Sequence, residues 1–281
     1  MIRTPSQHWI GTAWKLSRPR FWLYLAGPYL VGYTAFAQGT RDFLDPRFLY
    51  SLFFFLIPAN IILYGVNDLF DEDTDALNPK KNDKETRVSA GTRSFYIRLI
   101  GGAAVCSLPL LIYLPLFAKI VFLVFLALSI GYSAPPIRFK AKPYLDSASN
   151  ILYAFPGFVA VFQLTSTGLS VPAVLAVFLW TAAMHLFSAI PDIAADRTAG
   201  IRTTATVIGK ANGLLVCAIL WTLAAISAIG VAWYLGFLLI YAIIPALLLR
   251  NPRADIAKVY WVFPYLNAAT GFILFLVALF R

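Results

Sequence analysis

The sequence predicts an all-α fold, a polytopic membrane protein of nine transmembrane helices around a central cavity with a cytoplasmic N-terminus. Three observations predict it. The 281 residues are 60% hydrophobic and only 13% charged, and the mean hydropathy is +0.74. Apolar runs of about 17–22 residues recur along nearly the whole length, each long enough to cross a bilayer as a helix. The runs are continuous and do not alternate with period two, which favours helices over a barrel.

In chain order, residues 1–20 form an N-terminal interfacial segment. Trp9, Ile10, Ala13 and Trp14 fall at helical spacing there, which suits a short helix lying in the membrane interface. Lys15, Arg18 and Arg20 directly precede the first apolar run and no small-residue cleavage site is evident, so the segment does not read as a signal peptide. The nine runs then lie at about 21–37, 47–66, 95–116, 118–133, 148–165, 171–191, 211–229, 231–249 and 259–280. The second run ends on Asn67-Asp68-Leu-Phe-Asp71-Glu-Asp73-Thr-Asp75, the fourth on Tyr132-Ser-Ala-Pro135-Pro136-Ile-Arg138-Phe-Lys140, and the sixth on Asp192-Ile-Ala-Ala-Asp196. Residues 21–281 are therefore one nine-helix membrane domain, with no room for a second soluble one. Cys106 and Cys217 sit inside apolar runs and read as reduced packing residues.

The net charge of +10 raises the question of nucleic acid, but its distribution answers for a membrane. With nine spans the loops alternate between two sides, and nineteen of the 23 basic residues fall on one of them. The other side takes Arg41, Arg47, Lys119 and Arg281. The positive-inside rule makes the rich side cytoplasmic, together with the N-terminus. The protein then sits in a bacterial or archaeal plasma membrane and binds lipid bilayer, not nucleic acid.

All three polar motifs fall on that cytoplasmic side, as a single site requires. Asp68, Asp71 and Asp75 are spaced three and four apart, so they line one face if the second helix continues through them. The same face extends back to Tyr64 and Asn60 inside the apolar run. Asp192 and Asp196 are also four apart, and their face extends back to Ser188 and His185. Two polar stripes descending from two acidic clusters read as two walls of a cavity open to the cytoplasm. A solvated charged loop is the natural account of Asp83, Lys84 and Glu85, but a weak one for acids that directly follow an apolar helix. His185 and Asn60 are equally compatible with helix–helix hydrogen bonding and with lining the cavity.

The donor set selects the metal. Carboxylate and amide oxygens from Asn67, Asp68, Asp71, Asp75, Asp192 and Asp196 favour Mg²⁺, which binds through one or two carboxylates plus substrate phosphates. Zinc is disfavoured, because the two histidines, His8 and His185, lie on separate segments without a Cys/His cluster. No Walker loop or dinucleotide glycine fingerprint is present. Metal beside a membrane points to a phosphorylated lipid, held by the metal and by basic side chains.

At these residues the chain resembles the UbiA superfamily of intramembrane prenyltransferases. The family's N-D-x-x-D-x-x-x-D is matched by Asn67, Asp68, Asp71 and Asp75. Its tyrosine–diproline–lysine loop is matched by Tyr132, Pro135, Pro136 and Lys140. Its D-x-x-x-D-x-x-x-G-x-x-T is matched by Asp192, Asp196, Gly200 and Thr203. The family's nine-helix plan equals the span count. The resemblance implies transfer of an isoprenoid group from a prenyl diphosphate donor to a lipophilic acceptor, with Mg²⁺ held by both acidic motifs. Asp68, Asp71, Asp192 and Lys140 would carry the catalysis. Asn60, Tyr64, Asn67, Tyr132, Arg138, His185, Ser188 and Arg202 would bind substrate. Asn78-Pro79-Lys80-Lys81 looks like the carotenoid-elongating branch, whose members add five-carbon units to lycopene. A quinone precursor or other lipid remains the alternative acceptor, and a transporter using the acids as a relay is the rival of a different class.

Overall fold

The computed structural model describes residues 5–70, 92–251 and 253–280. All its regular structure is helical, in the order α1 (Pro5–Leu16), α2 (Trp22–Thr34), α3 (Pro46–Leu56), α4 (Pro58–Phe70), α5 (Arg93–Val105), α6 (Leu108–Tyr113), α7 (Leu116–Gly131), α8 (Leu145–Ala148), α9 (Phe155–Leu164), α10 (Val171–Ala189), α11 (Ile193–Thr198), α12 (Thr204–Ile229), α13 (Ile240–Arg250), α14 (Ile256–Tyr260) and α15 (Phe263–Leu279). Short 3₁₀ turns join several of them.

Seven stretches of the described residues are long and apolar enough to cross a membrane: Pro46–Phe70, Arg93–Tyr113, Leu145–Leu164, Val171–Thr198, Thr204–Ile229, Trp233–Arg250 and Ile256–Leu279. They correspond to seven of the nine expected spans. The other two are present as helices but shorter, 13 residues in α2 and 16 in α7. At about 1.5 Å per residue neither covers a hydrocarbon core of about 30 Å by itself. Their ends explain the shortening. Arg18 and Gly39 lie just outside α2, and Pro115 starts α7 with its φ preset while the chain leaves helical geometry beyond Tyr132 toward the diproline.

The described residues divide into two compact units. In the first (1–137, 155–166 and 268–281), α4 is the central helix. Residues Pro58 to Val66 are all buried, because α1, α3, α5 and α7 pack about the segment and its one side-chain amide, Asn60, donates to backbone carbonyls. The rest of the core is aromatic. Tyr33 and Phe48 lie 4.4 Å apart, and Phe55 meets Phe125 edge-on at 5.7 Å. Such pairs contribute about 0.5–1.5 kcal/mol each beyond the area they bury. Because lipid is as apolar as the core, close packing rather than water exclusion holds helices together. Helices α2 and α9 illustrate it: a Cβ on Gly32 would lie 2.6 Å from the Gly157 carbonyl oxygen. Only glycine permits that backbone approach.

In the second unit (138–154 and 167–267), α12 packs against α10 and α13. Its centre is Trp221, fully buried with Phe187, Tyr241 and Phe263 around it. The Phe187 and Phe263 rings lie 4.7 Å apart.

Candidate active site

Helix α4 runs on past its apolar stretch to Phe70, so Asn60, Tyr64, Asn67 and Asp68 all lie on it. Asp68 sits in its last described turn. Its carboxylate, at 4% exposure, is largely cut off from water. It needs a cation, and Arg18 supplies one: a guanidinium nitrogen lies 2.7 Å from an Asp68 oxygen. The guanidinium also covers the Tyr64 ring at 4.6 Å from its centroid, and Phe21 stands 5.8 Å beyond. Arg18 reaches this position from a left-handed backbone conformation, φ 49° and ψ 70°, between α1 and the turn at Pro19–Phe21. That conformation costs an L-residue about 1–2 kcal/mol.

Two sequence motifs meet in this unit. The Ser133 hydroxyl, one residue beyond Tyr132, donates to the Asn67 side-chain oxygen at 2.8 Å. Asn67 is thereby oriented with its oxygen engaged beside Asp68, and Tyr132 is anchored at the end of α7. Asn60 is fully buried; its amide donates to the Phe55 and Leu56 carbonyls at 2.9 Å each, bracing the junction of α3 and α4. Asp71 and Asp75 of the first motif, and Asn78-Pro79-Lys80-Lys81, lie outside the described residues.

The second unit carries the other motif. His185 and Ser188 are on α10, and the Ser188 hydroxyl donates to the His185 carbonyl at 2.7 Å. The helix then tightens into a 3₁₀ turn, Ile190–Asp192, where Pro191 has no N–H to continue the α pattern. Asp192 ends that turn and Asp196 lies on α11. The stripe from His185 to Asp196 is therefore not one uninterrupted helical face.

The glycine and threonine of this motif have a structural explanation. Helix α11 ends in a Schellman turn: the Ile201 N–H donates to the Asp196 carbonyl at 2.8 Å and the Gly200 N–H to the Arg197 carbonyl at 3.2 Å. Gly200 takes the required positive φ of 69°. The reversal brings Thr203 back, its hydroxyl 3.5 Å from an Asp196 oxygen. Thr203 then caps α12 in a reciprocal box with Thr206. Arg202 lines an open cleft of about 250 Å³ with Arg197, Gly200, Ile201, Thr206 and Val207. Lys140 sits in the turn Phe139–Ala141, entered from Arg138 at φ 41°.

Two functional candidates were missing from the sequence-based set. Arg18 lay among the topogenic charges; its signal was an arginine immediately before the first apolar run. Asp146, fully buried with one carboxylate oxygen 3.8 Å from His185 Nε2, lay in the polar stretch Asp146-Ser-Ala-Ser-Asn150 that opens an apolar helix.

Among the described residues no three of His, Cys, Asp and Glu come together. The acids that are described, with the Asn67 amide, offer only oxygen, which suits a hard dication such as Mg²⁺. The pairing of Asp68 with Arg18 marks a carboxylate whose place calls for positive charge.

The comparisons with known proteins agree with this chemistry. The family model described as "UbiA prenyltransferase family" matches residues 25–253. A lycopene elongase/hydratase of Haloarcula japonica is 40% identical over 277 residues, 98% of this chain and 93% of that protein. One of Haloferax volcanii is 42% identical over 268 residues, 95% of this chain and 88% of that protein. The fold is similar to that of a UbiA homologue from Archaeoglobus fulgidus bound to DMAPP and Mg²⁺, with a TM-score of 0.65 at 21% identity over 94% of this chain and 99% of that one. The chain is an integral membrane prenyltransferase, with relatives in the carotenoid branch, and it belongs to the UbiA prenyltransferase family.

Proposed function

We propose that the protein transfers a five-carbon isoprenoid group from an allylic diphosphate such as DMAPP to a carotenoid such as lycopene. The observation that carries the chemistry is Asp68, a carboxylate at 4% exposure on the central helix, balanced by Arg18 over an aromatic ring. The choice of acceptor is supported by the lycopene elongase/hydratase relatives at 40% and 42% identity. The remaining features of the reading are nine spans, with α2 and α7 as the short ones, and an active site facing the cytoplasm.

In this reading Asn67, Asp68, Asp71 and Asp75 from one motif and Asp192 and Asp196 from the other hold Mg²⁺. When bound, the metal supplies charge neutralisation at the diphosphate and orients it as a leaving group. Lys140, Arg138, Arg202 and Arg18 bind the remaining phosphate oxygens through charge-assisted hydrogen bonds. Tyr64 and Tyr132 present ring faces to the allylic cation, and His185 and Ser188 line the donor's path, while Asn60 is fully buried and braces α4 behind it. Apolar walls keep out water that would otherwise capture the cation.

The electron balance is simple. The allylic C–O bond breaks and its electron pair leaves with diphosphate. A terminal double bond of the acceptor supplies the pair for the new C–C bond. The resulting tertiary cation loses a proton, or takes up water and then loses a proton.

Expression in cells that accumulate lycopene tests this reading. Pigments heavier by one or two five-carbon units, with or without added water, are the expected result. An unchanged pigment profile with the protein present in the membrane would overturn the carotenoid acceptor.

A further inference from the structure

We propose that Asp146 is a positioning residue for donor binding: one buried carboxylate that fixes the start of α12, the Lys140 turn and α10 against one another. This rests on the functional reading above. The carboxylate is wholly inaccessible to water, yet it is saturated with donors. One oxygen accepts the backbone N–H of Thr204 at 2.7 Å; the other accepts the Thr204 hydroxyl and the Ser147 N–H, the latter at 2.8 Å. His185 Nε2 lies 3.8 Å away. The Thr204 hydroxyl in turn accepts the Tyr144 N–H at 2.6 Å.

Each partner leads to a residue of the proposed site. Thr204 is the first helical residue of α12, directly after the Thr203 cap whose hydroxyl approaches Asp196, and two residues after Arg202. Backbone hydrogen bonds run continuously from Asp146 toward the basic turn: Asp146 N–H to the Lys142 carbonyl at 2.9 Å, Lys142 N–H to Phe139 at 2.9 Å, and Ala141 N–H to Arg138 at 3.1 Å. His185 stands on α10, about two turns before Asp192. The segments bearing Arg138 and Lys140, Asp192, and Arg202 thus share one anchor.

A carboxylate is suited to that task. Both its oxygens only accept, so it can hold a helix N-terminal N–H, a hydroxyl and a second N–H at once. It also meets the free N–H groups of the first turn of α12, ahead of the break at Gly209 (φ 79°), and these local dipoles offset part of the cost of burying it. Removing such a supporting hydrogen bond weakens metal or substrate binding by about tenfold or more without touching either.

The test compares Thr204→Val, Thr204→Ser and Asp146→Asn with wild type in lipid nanodiscs. The donor is DMAPP, and the binding probe is dimethylallyl thiolodiphosphate with Mn²⁺ in place of Mg²⁺. Thr204→Val is expected to raise the donor KM, the Mg²⁺ half-saturation and the probe's dissociation constant by about tenfold, leaving the lycopene KM unchanged. Thr204→Ser, which keeps the hydroxyl, restores wild-type values. Adding Thr204→Val to Asp146→Asn costs little more than Asp146→Asn alone. Should Asp146→Asn fail to fold, the two threonine variants decide the matter.

A folded Thr204→Val protein with wild-type donor KM, Mg²⁺ half-saturation and probe affinity, altered only in melting temperature or kcat, overturns this proposal alone. Wild-type protein that neither binds the probe nor releases diphosphate overturns the functional reading and this proposal together.

Discussion

Asp68 and Asp146 are both buried carboxylates, and they are satisfied in opposite ways. Asp68 lies on α4 and is balanced by a guanidinium, with Arg18 at 2.7 Å. Asp146 lies at the N-terminal end of α12 and is held by two N–H groups and a hydroxyl, with an imidazole at its margin. The difference lies in the partners, a side-chain cation for Asp68 and chiefly backbone N–H groups for Asp146. A cation that balances a carboxylate can be exchanged for another cation. Hydrogen bonds from the backbone cannot be exchanged without unwinding the helix. On the proposed function, Asp68 meets a mobile charge and Asp146 stays where it is.

The largest expected effect breaks the exchangeable side. Asp68→Ala should lower kcat/KM by about a thousandfold, as loss of a group that serves developing charge in the transition state does. Diphosphate release measures it, with membrane insertion unchanged. Asp192→Ala should match it, since the reading gives both acids the same task. Next, Arg18→Gln leaves Asp68 buried beside a neutral partner, which costs about 3 kcal/mol in metal-free protein. Mg²⁺ should raise the melting temperature of this variant more than that of wild type, because the Arg18 guanidinium no longer competes for Asp68. Equal Mg²⁺ shifts in the two proteins would contradict an exchangeable pair.

On the fixed side, Thr204→Val removes two hydrogen bonds, one to the Asp146 carboxylate and one from the Tyr144 N–H, and should cost about 3 kcal/mol. Mg²⁺ should not recover that loss beyond its effect on wild type, which a melting series would check.

Asp45 is the partly exposed control, and it gives the smallest effect. It caps α3 through the Arg47 N–H and pairs with the Arg47 guanidinium at 2.7 Å, in contact with water. The hydrogen bonds from Arg47 hold its carboxyl below the ordinary 3.8. Its contribution is therefore present above the unfolded value and lost as pH falls through the lower folded one. Asp45→Asn should change the melting temperature measurably only above that acidic window and converge with wild type below it. The size should stay within the range of surface pairs.

Much of this molecule was legible in the sequence because helical periodicity and charge bias are local signals. Asn60, Tyr64 and Asp68 at four-residue spacing read correctly as one helix, since α4 continues to Phe70. The break of the second run at Ile57 and the tightening at Pro191 were not read, because a run of apolar residues carries no sign of where the backbone leaves helical geometry. The pairings Arg18–Asp68 and Ser133–Asn67 span 50 and 66 residues and depend on how helices pack, which periodicity does not encode. Asp146 was passed over for a related reason. It follows Leu145 in a short polar stretch that resembles a loop, and only the fold brings Thr204 to it. The family motifs identified Asp192, Asp196, Gly200 and Thr203; the structure adds that Gly200 and Thr203 shape the turn between α11 and α12.

The central claim is that the two acidic motifs serve one Mg²⁺-dependent transfer from a five-carbon diphosphate to a carotenoid. The most direct measurement follows diphosphate release from labelled DMAPP by purified protein in nanodiscs loaded with lycopene, with and without Mg²⁺. Release is expected to require both Mg²⁺ and lycopene, with label appearing in the carotenoid in equal amount. Folded protein that leaves DMAPP intact under these conditions, or that releases diphosphate without labelling the carotenoid, would contradict it.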